Sequence, residues 1–300
     1  MLDRTVTRVF PTGARLTMTH NIMRVQTKDG IDKFGEVAIP EGADVLLLRA
    51  VKADGGTREA QEIGNKRSVS VPDLAPGDYV EFEYIEPSGP PAAFPGGFYT
   101  ERFFFQSFDA PLDRTEYVLA MPAGMALQVD RRGDAPVDKV ESIDDPLGTG
   151  ARLDVHTWAD RHKAQLLPEP QQAPMTEHVP SVRVGSAITF AGWRDFLADQ
   201  QYGTLRANRE LRELARGLGS PEAIDQWVRR HIKQGGSLDE VATSVLAKGE
   251  GSRVVLERAL LAALGVKAEL WLVRSRLDAQ LDGPLPDLEG FDEPLLAIPT

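Results

Sequence analysis

Gly249, Glu250, Gly251 and Ser252 stand directly before a long apolar run, Arg253 to Leu264, and such a position is where a protein can hold an anion or a nucleophile. The first N–H groups of a helix have no partner within it, and the aligned peptide dipoles add partial positive charge there. A cysteine thiolate would gain most from that seat, yet the 300 residues contain no cysteine. The groups left within reach are the Ser252 hydroxyl and the Glu250 carboxylate, with Glu293 as a further carboxylate from a distant segment. A serine attacks an acyl carbon only with an aligned base and an oxyanion hole, and the nearest histidine in sequence is His231, on an upstream helix. Simpler roles also fit. Ser252 is a good helix N-cap, and Glu250 either pairs with Arg253 or favours the helix start by charge alone.

The elements that would position these residues are legible in the spacing. Val255, Leu256, Ala259, Leu260, Ala263 and Leu264 form one helical stripe that Gly265 terminates, and a strand follows. Upstream, helix-spaced stripes run through Phe190, Trp193 and Leu197, through Leu211, Leu214, Ala215 and Leu218, and through Ile224, Trp227, Val228 and Ile232. Ser220-Pro221-Glu222 is a strong helix start, and Ser237 with Glu240 reads as a capping box for a helix running to Lys248. Before all of these, from Leu2 to about Trp158, apolar and polar residues alternate with period two between turn signals, the signature of antiparallel strands with one buried face. Lys28-Asp29-Gly30 reads as a turn leading into a strand from Ile31 to Ile39, and in Tyr79 to Ile85 the residues Val80, Phe82 and Tyr84 share one face. The segment Leu166 to Pro180 (LLPEPQQAPMTEHVP) is too rich in proline for a central element and reads as a connector.

The Gly249 to Arg274 region resembles the transglutaminase-like superfamily, whose nucleophile helix opens with a glycine, a small or acidic residue and a cysteine and ends in a motif that Leu264 to Ala268 (LGVKA) matches. The resemblance implies a papain-like α+β core with the thiol position falling within Glu250 to Ser252. It also places Glu293, in FDEPLLAIP from Phe291, where the family has its histidine, and it implies that the chain stops at Thr300 before the strand carrying the acidic partner. The first half resembles the β-rich domain of unknown function that commonly precedes such cores in bacterial envelope proteins. VFPTG from Val9, GEVAIP from Gly35, the segment Pro76 to Tyr84 and Phe103-Phe104-Phe105 carry that likeness.

The fold class expected is therefore α+β: an antiparallel β-sandwich-like domain over 1–165, a Pro/Gln-rich connector over 166–185, and a transglutaminase-like domain over 186–300, truncated at its C-terminus. The net charge of −11 leaves no basic surface for phosphates, so no nucleic-acid partner is expected. No apolar run approaches the roughly 20 residues of a membrane span, and the start MLDRTVTRVF alternates where a signal peptide would be continuously apolar. No cofactor or metal is expected, and nothing in the sequence sets the oligomeric state. His156, Asp160 and His162 match no standard ligand spacing. The six acids of Leu277 to Thr300, unaccompanied by Lys or Arg, read as a solvated loop ahead of a calcium site. Phe98, Tyr99 and Phe104 are candidates for a binding platform, with core packing as the default.

Three functions follow. The leading one is a non-catalytic binding or scaffolding module with a protein or peptide partner, a pseudoenzyme core within a longer bacterial envelope or periplasmic protein as the resemblance implies. The second is a hydrolase or acyltransferase using Ser252, or Glu250 with Glu293. The third is glycan or peptide recognition by the β domain.

Overall fold

The computed structural model describes residues 1–60, 68–170, 172, 175–273, 283–286, 291 and 293–298. The chain divides into two compact units. One spans Met1–Ile188 and takes in 283–285, and the other begins at Thr189 and takes in the remainder. Both helices and sheets are present in quantity, with nearly all strand in the first unit and most helix in the second.

The first unit is built on an eight-stranded sheet. From edge to edge its strands are Lys139–Asp144, Arg152–Lys163, Leu112–Pro122, Leu2–Val9, Arg15–Arg24, Tyr79–Ser88, Asp44–Val51 and Thr57–Glu59. The pairs are antiparallel except one: Leu2–Val9 runs parallel to Leu112–Pro122, with Thr5 opposite Tyr117. The sheet is mixed, which alternation alone cannot reveal because parallel and antiparallel strands share the period of two.

One face of this sheet is covered at both ends by different material. At one end a small sheet, formed by Gln128–Arg132, Ser181–Ser186, Phe98–Tyr99 and Phe103–Phe104, packs Phe98, Phe105, Val182 and Val184 against Tyr117, Leu119, Met121 and Trp158. At the other end the helix Lys28–Phe34 and the paired strands Glu36–Ala38 and Ser68–Ser70 cover Met23, Leu48, Ala50, Val80 and Phe82. The alternation in Tyr79–Ser88 is as expected, with Val80 and Phe82 buried.

Two expectations fail for local reasons. The stretch 31–39 is helix as far as Phe34 and strand only over Glu36–Ala38, because Thr27 accepts the Gly30 N–H at 3.1 Å as an N-cap while Asp29 and Lys33 sit at the ends of the macrodipole that favour them. The supposed connector 166–185 ends in Ser181–Ser186, a fully buried strand in the middle of the small sheet. The last of its prolines, Pro180, lies just outside the strand, where the missing N–H costs no ladder bond.

The second unit packs helices around one central helix, Arg253–Leu264. Leu211 and Ala215 of the helix Arg209–Leu218, Ile224 and Val228 of Pro221–His231, and Val245 of Ala242–Lys248 close on Val255, Leu256, Ala259, Leu260 and Leu261. Ser220 caps its helix as expected, its side chain accepting the Ala223 N–H at 3.2 Å. Gly265, at φ +85°, ends the central helix in a left-handed turn that glycine adopts without strain. The strand Glu269–Val273 follows and pairs antiparallel with Glu293–Ala297. Each buried leucine of this cluster contributes about 1.5–3 kcal/mol relative to exposure, so the central helix is held by packing more than by propensity.

Candidate functional site

The start of the central helix is assembled from three segments. Gly249, at φ +66°, closes the preceding helix by donating to the Val245 carbonyl at 3.0 Å. Glu250–Gly251 then forms a short parallel bridge with Lys233–Gln234, which anchors the chain beside the end of the helix Pro221–His231. Gly251 has φ +141°, and a Cβ there would lie 2.7 Å from the Glu240 carboxylate and 2.9 Å from Val245. Glycine is therefore required both for the conformation and to let that carboxylate approach.

Glu240 occupies the position an anion would take. Its Oε2 accepts the backbone N–H of Ser252 at 2.7 Å. Beside it, the Gln234 side-chain oxygen accepts the Arg253 N–H at 3.4 Å. The capping box expected between Ser237 and Glu240 does not form. The next helix begins only at Ala242, behind Val241 without a side-chain cap, and Glu240 serves the following helix instead. A charge-assisted bond to otherwise orphaned donors outcompetes a local cap on an exposed turn.

Ser252 sits at the N-cap position and is 3% exposed, but its hydroxyl makes no capping bond. His231, the nearest histidine in sequence, is exposed, stacks on Trp227 with ring centroids 4.4 Å apart, and donates from Nδ1 to the Trp227 carbonyl at 2.8 Å. It is committed to its own helix. Glu250 is also exposed and pairs with Lys233 at 3.1 Å, a contact worth about 0–1 kcal/mol. Glu293 is exposed at the start of its strand, opposite Val273. Among the described residues no hydrogen bond or ion pair joins Ser252, Glu250 and Glu293 to one another, so the groups that a serine or carboxylate hydrolase needs in convergence are not linked.

Beside this helix start lies a hollow of about 360 Å³ lined by Asp225, Arg229, Gln234, Arg253, Glu257 and Leu296, among others. Its cations are already engaged: Arg229 donates to Asp225 at 2.6 Å, and Arg253 donates to the carbonyls of Ile232 at 2.8 Å and Arg229 at 3.3 Å. Burial, with a smaller push from Asp225, holds the Glu257 carboxyl above the usual carboxylate range, while Arg229 opposes. An acid of this kind has catalytic use only within reach of the substrate atom it protonates, and among the described residues no hydrogen bond links it to Ser252.

In the first unit, strand alternation separates the aromatic candidates. Phe98 is fully buried in the core between the sheets and offers no accessible ring. Tyr99 is half-buried, with the Arg15 guanidinium 5.6 Å from its ring centroid, and Phe104 is half-buried. The histidines and aspartate of the 156–162 stretch diverge: His156 bonds Asp138 at 2.7 Å, His162 bonds Asp113 at 2.9 Å, and Asp160 pairs with Lys163 at 2.9 Å. Of the acidic tail, Asp278, Asp282, Asp287, Glu289 and Asp292 lie outside the described residues. Sequence reasoning missed Glu240 as a group acting on the central helix. The signal present was two glycines, Gly236 and Gly251, flanking it at a distance in sequence, each of which would crowd the carboxylate if it carried a side chain.

Comparison with known proteins adds three findings. No curated protein matches the chain. A crystal structure described as a "putative protease" from Parabacteroides distasonis superimposes with a TM-score of 0.70 over 98% of this chain at 14% identity; the chain spans 64% of that structure's length, and at this identity the likeness is one of fold. Residues 65–164, within the first unit, match the model of a family described as a Domain of Unknown Function with solved structure, DUF3857.

Proposed function

We propose that this chain is a non-catalytic binding module, in which the second unit keeps the frame of a transglutaminase-like core without its chemistry, and that it works within a longer bacterial envelope protein. The observation that carries this reading is the Glu240 carboxylate on the Ser252 N–H. In a thiol enzyme the helix start stabilises the anion of the nucleophile; here the Ser252 N–H is spent on a fixed carboxylate of the chain itself and the Arg253 N–H on the Gln234 amide oxygen. Ser252 is buried, and its neighbour in sequence Glu250 is tied to Lys233, so neither has the base or oxyanion geometry of an acyl-transfer site. The protease description attached to the similar fold extends to this chain only if Ser252 or a carboxylate turns substrate over. Incubating the protein with peptide, amine-donor and ester substrates tests this. The reading expects rates equal to those of the Ser252→Ala variant, and turnover that disappears in that variant would overturn it.

A further inference from the structure

On the covered face of the eight-stranded sheet, the two apolar clusters are separated by a strip of hydroxyls. In one row Tyr117, Thr5, Thr19 and Tyr84 lie side by side across four strands; in the next, Leu119, Thr7, Thr17 and Glu86 do. Thr7 and Thr17 approach at 3.4 Å between hydroxyl oxygens. The same face that carries Val80 and Phe82 at one end and Leu119 and Met121 at the other therefore turns polar in the middle. A cleft of about 160 Å³ lies over this strip, closed on its far side by Thr100 to Phe103. That volume is close to the roughly 150 Å³ of a cavity that admits a six-atom ring.

Two polar groups in this cleft lack a well-formed hydrogen bond. The Tyr117 hydroxyl is fully buried beside the Thr7 and Thr100 hydroxyls, and no well-formed hydrogen bond to either satisfies it. Thr100 is occupied with the Val184 carbonyl and N–H, at 3.3 and 3.2 Å. The Arg15 guanidinium is partly buried, lies over Tyr99, and makes no ion pair or hydrogen bond at contact distance among the described residues, Glu86 and Glu101 attracting it only from farther away. Arg102, also lining the cleft, is by contrast bonded to Asp130 and Ser181. Leaving a buried hydroxyl and a partly desolvated cation unmatched costs free energy that an apolar strip would not.

We propose that this cleft binds a small hydroxycarboxylate, its carboxylate held by Arg15 and Tyr117 and its hydroxyl groups by Thr7, Thr17 and Glu86. Arg15 supplies a planar fork of donors that matches a carboxylate, and the Tyr117 hydroxyl is a further donor in the same lining. The threonine pair both donates and accepts, and Glu86 accepts only, so the ligand side facing them must carry hydroxyls. A neutral polyol would leave the guanidinium without an ion pair, and a dianionic phosphate would be repelled by Glu86 and Glu101 more strongly than a monocarboxylate is.

The test is titration of the full chain, followed by NMR shifts or calorimetry, with L-lactate, D-glycerate and D-glucuronate, and with glycerol as the neutral counterpart. Saturable binding of at least one carboxylate is expected, with glycerol much weaker. Arg15→Gln is expected to weaken it by about tenfold or more, as loss of a charge-assisted bond does. Tyr117→Phe, which keeps the ring in the core, and Thr17→Val, which fills the floor with the same volume, should each weaken it by a smaller factor, with thermal unfolding showing that the variants remain folded. No saturable binding of any of the three acids, binding of glycerol as tight as that of glycerate, or affinity unchanged in folded Arg15→Gln would each overturn the proposal.

Discussion

The start of the central helix and the threonine-lined cleft are both places where a folded chain could receive a small anion, and they differ in how their donors are used. At the helix start the Ser252 N–H is bonded to Glu240 and the Arg253 N–H to Gln234, both side chains from the same unit. In the cleft, Arg15 has no contact ion pair and the Tyr117 hydroxyl no well-formed hydrogen bond. A resemblance in sequence draws attention to the first place, while the polar accounting draws it to the second. The difference teaches that a preserved frame is not evidence of an open site: the question is whether its hydrogen-bonding capacity is spent.

The comparison can be broken or sharpened by substitution. The largest effect is expected from Phe98→Ala, which empties the core between the sheets and should cost about 3–5 kcal/mol in urea unfolding; a cost below about 1 kcal/mol would show that the ring is not core and would reopen it as a binding platform.

A second test concerns Asp3, on the same strand as Thr5 and Thr7, opposite Asn21 and Thr115. Burial pushes its carboxyl up to about 6 from 3.8. Because the folded value lies above the unfolded one, the native state binds more protons between those limits, so this group makes stability fall as pH rises from about 4 to about 6. The loss is about 2–3 kcal/mol from the size of the shift, and Asp3→Asn should flatten that part of the profile. A profile identical to wild type would contradict the assignment of a buried carboxyl to the strip. Asp145 has the opposite sign. Hydrogen bonds from Arg8, then Thr149 and the Leu147 N–H, hold it well below the usual range, so its contribution is present above about pH 4 and fades as pH falls further.

Third, Glu240→Ala should cost about 1–3 kcal/mol, since it leaves the Ser252 N–H orphaned. The smallest effect is expected at Ser252 itself. A serine N-cap replaced by alanine usually costs about 1 kcal/mol, but this hydroxyl makes no capping bond, so Ser252→Ala should change stability by less than about 0.5 kcal/mol. A cost like that of Glu240→Ala would mean that the hydroxyl, not the carboxylate, holds the helix start.

Much of the scaffold is readable from the chain. The stripe from Val255 to Leu260 and the Ser220-Pro221-Glu222 start are local patterns, and local patterns survive folding intact. The helix Lys28–Phe34 was hidden because Asp29-Gly30 is equally good turn chemistry, and only the Thr27 cap tips the balance. The strand Ser181–Ser186 was hidden by its proline-rich approach. Neither site feature was legible. Glu240 reaches Ser252 across 12 positions, and the hydroxyl strip needs the register of four strands before Thr5, Thr19, Tyr84 and Tyr117 form a row. Threonine in a strand is ordinary by propensity; only the apolar clusters on both sides make it unusual.

The central claim, that the helix start holds its own anion, is tested most directly by emptying it. Thermal unfolding of wild type and Glu240→Ala is compared in acetate and in chloride at equal ionic strength. The account predicts that acetate restores part of the variant's lost stability and leaves wild type unchanged; equal stabilisation of both proteins, or of neither, would contradict it.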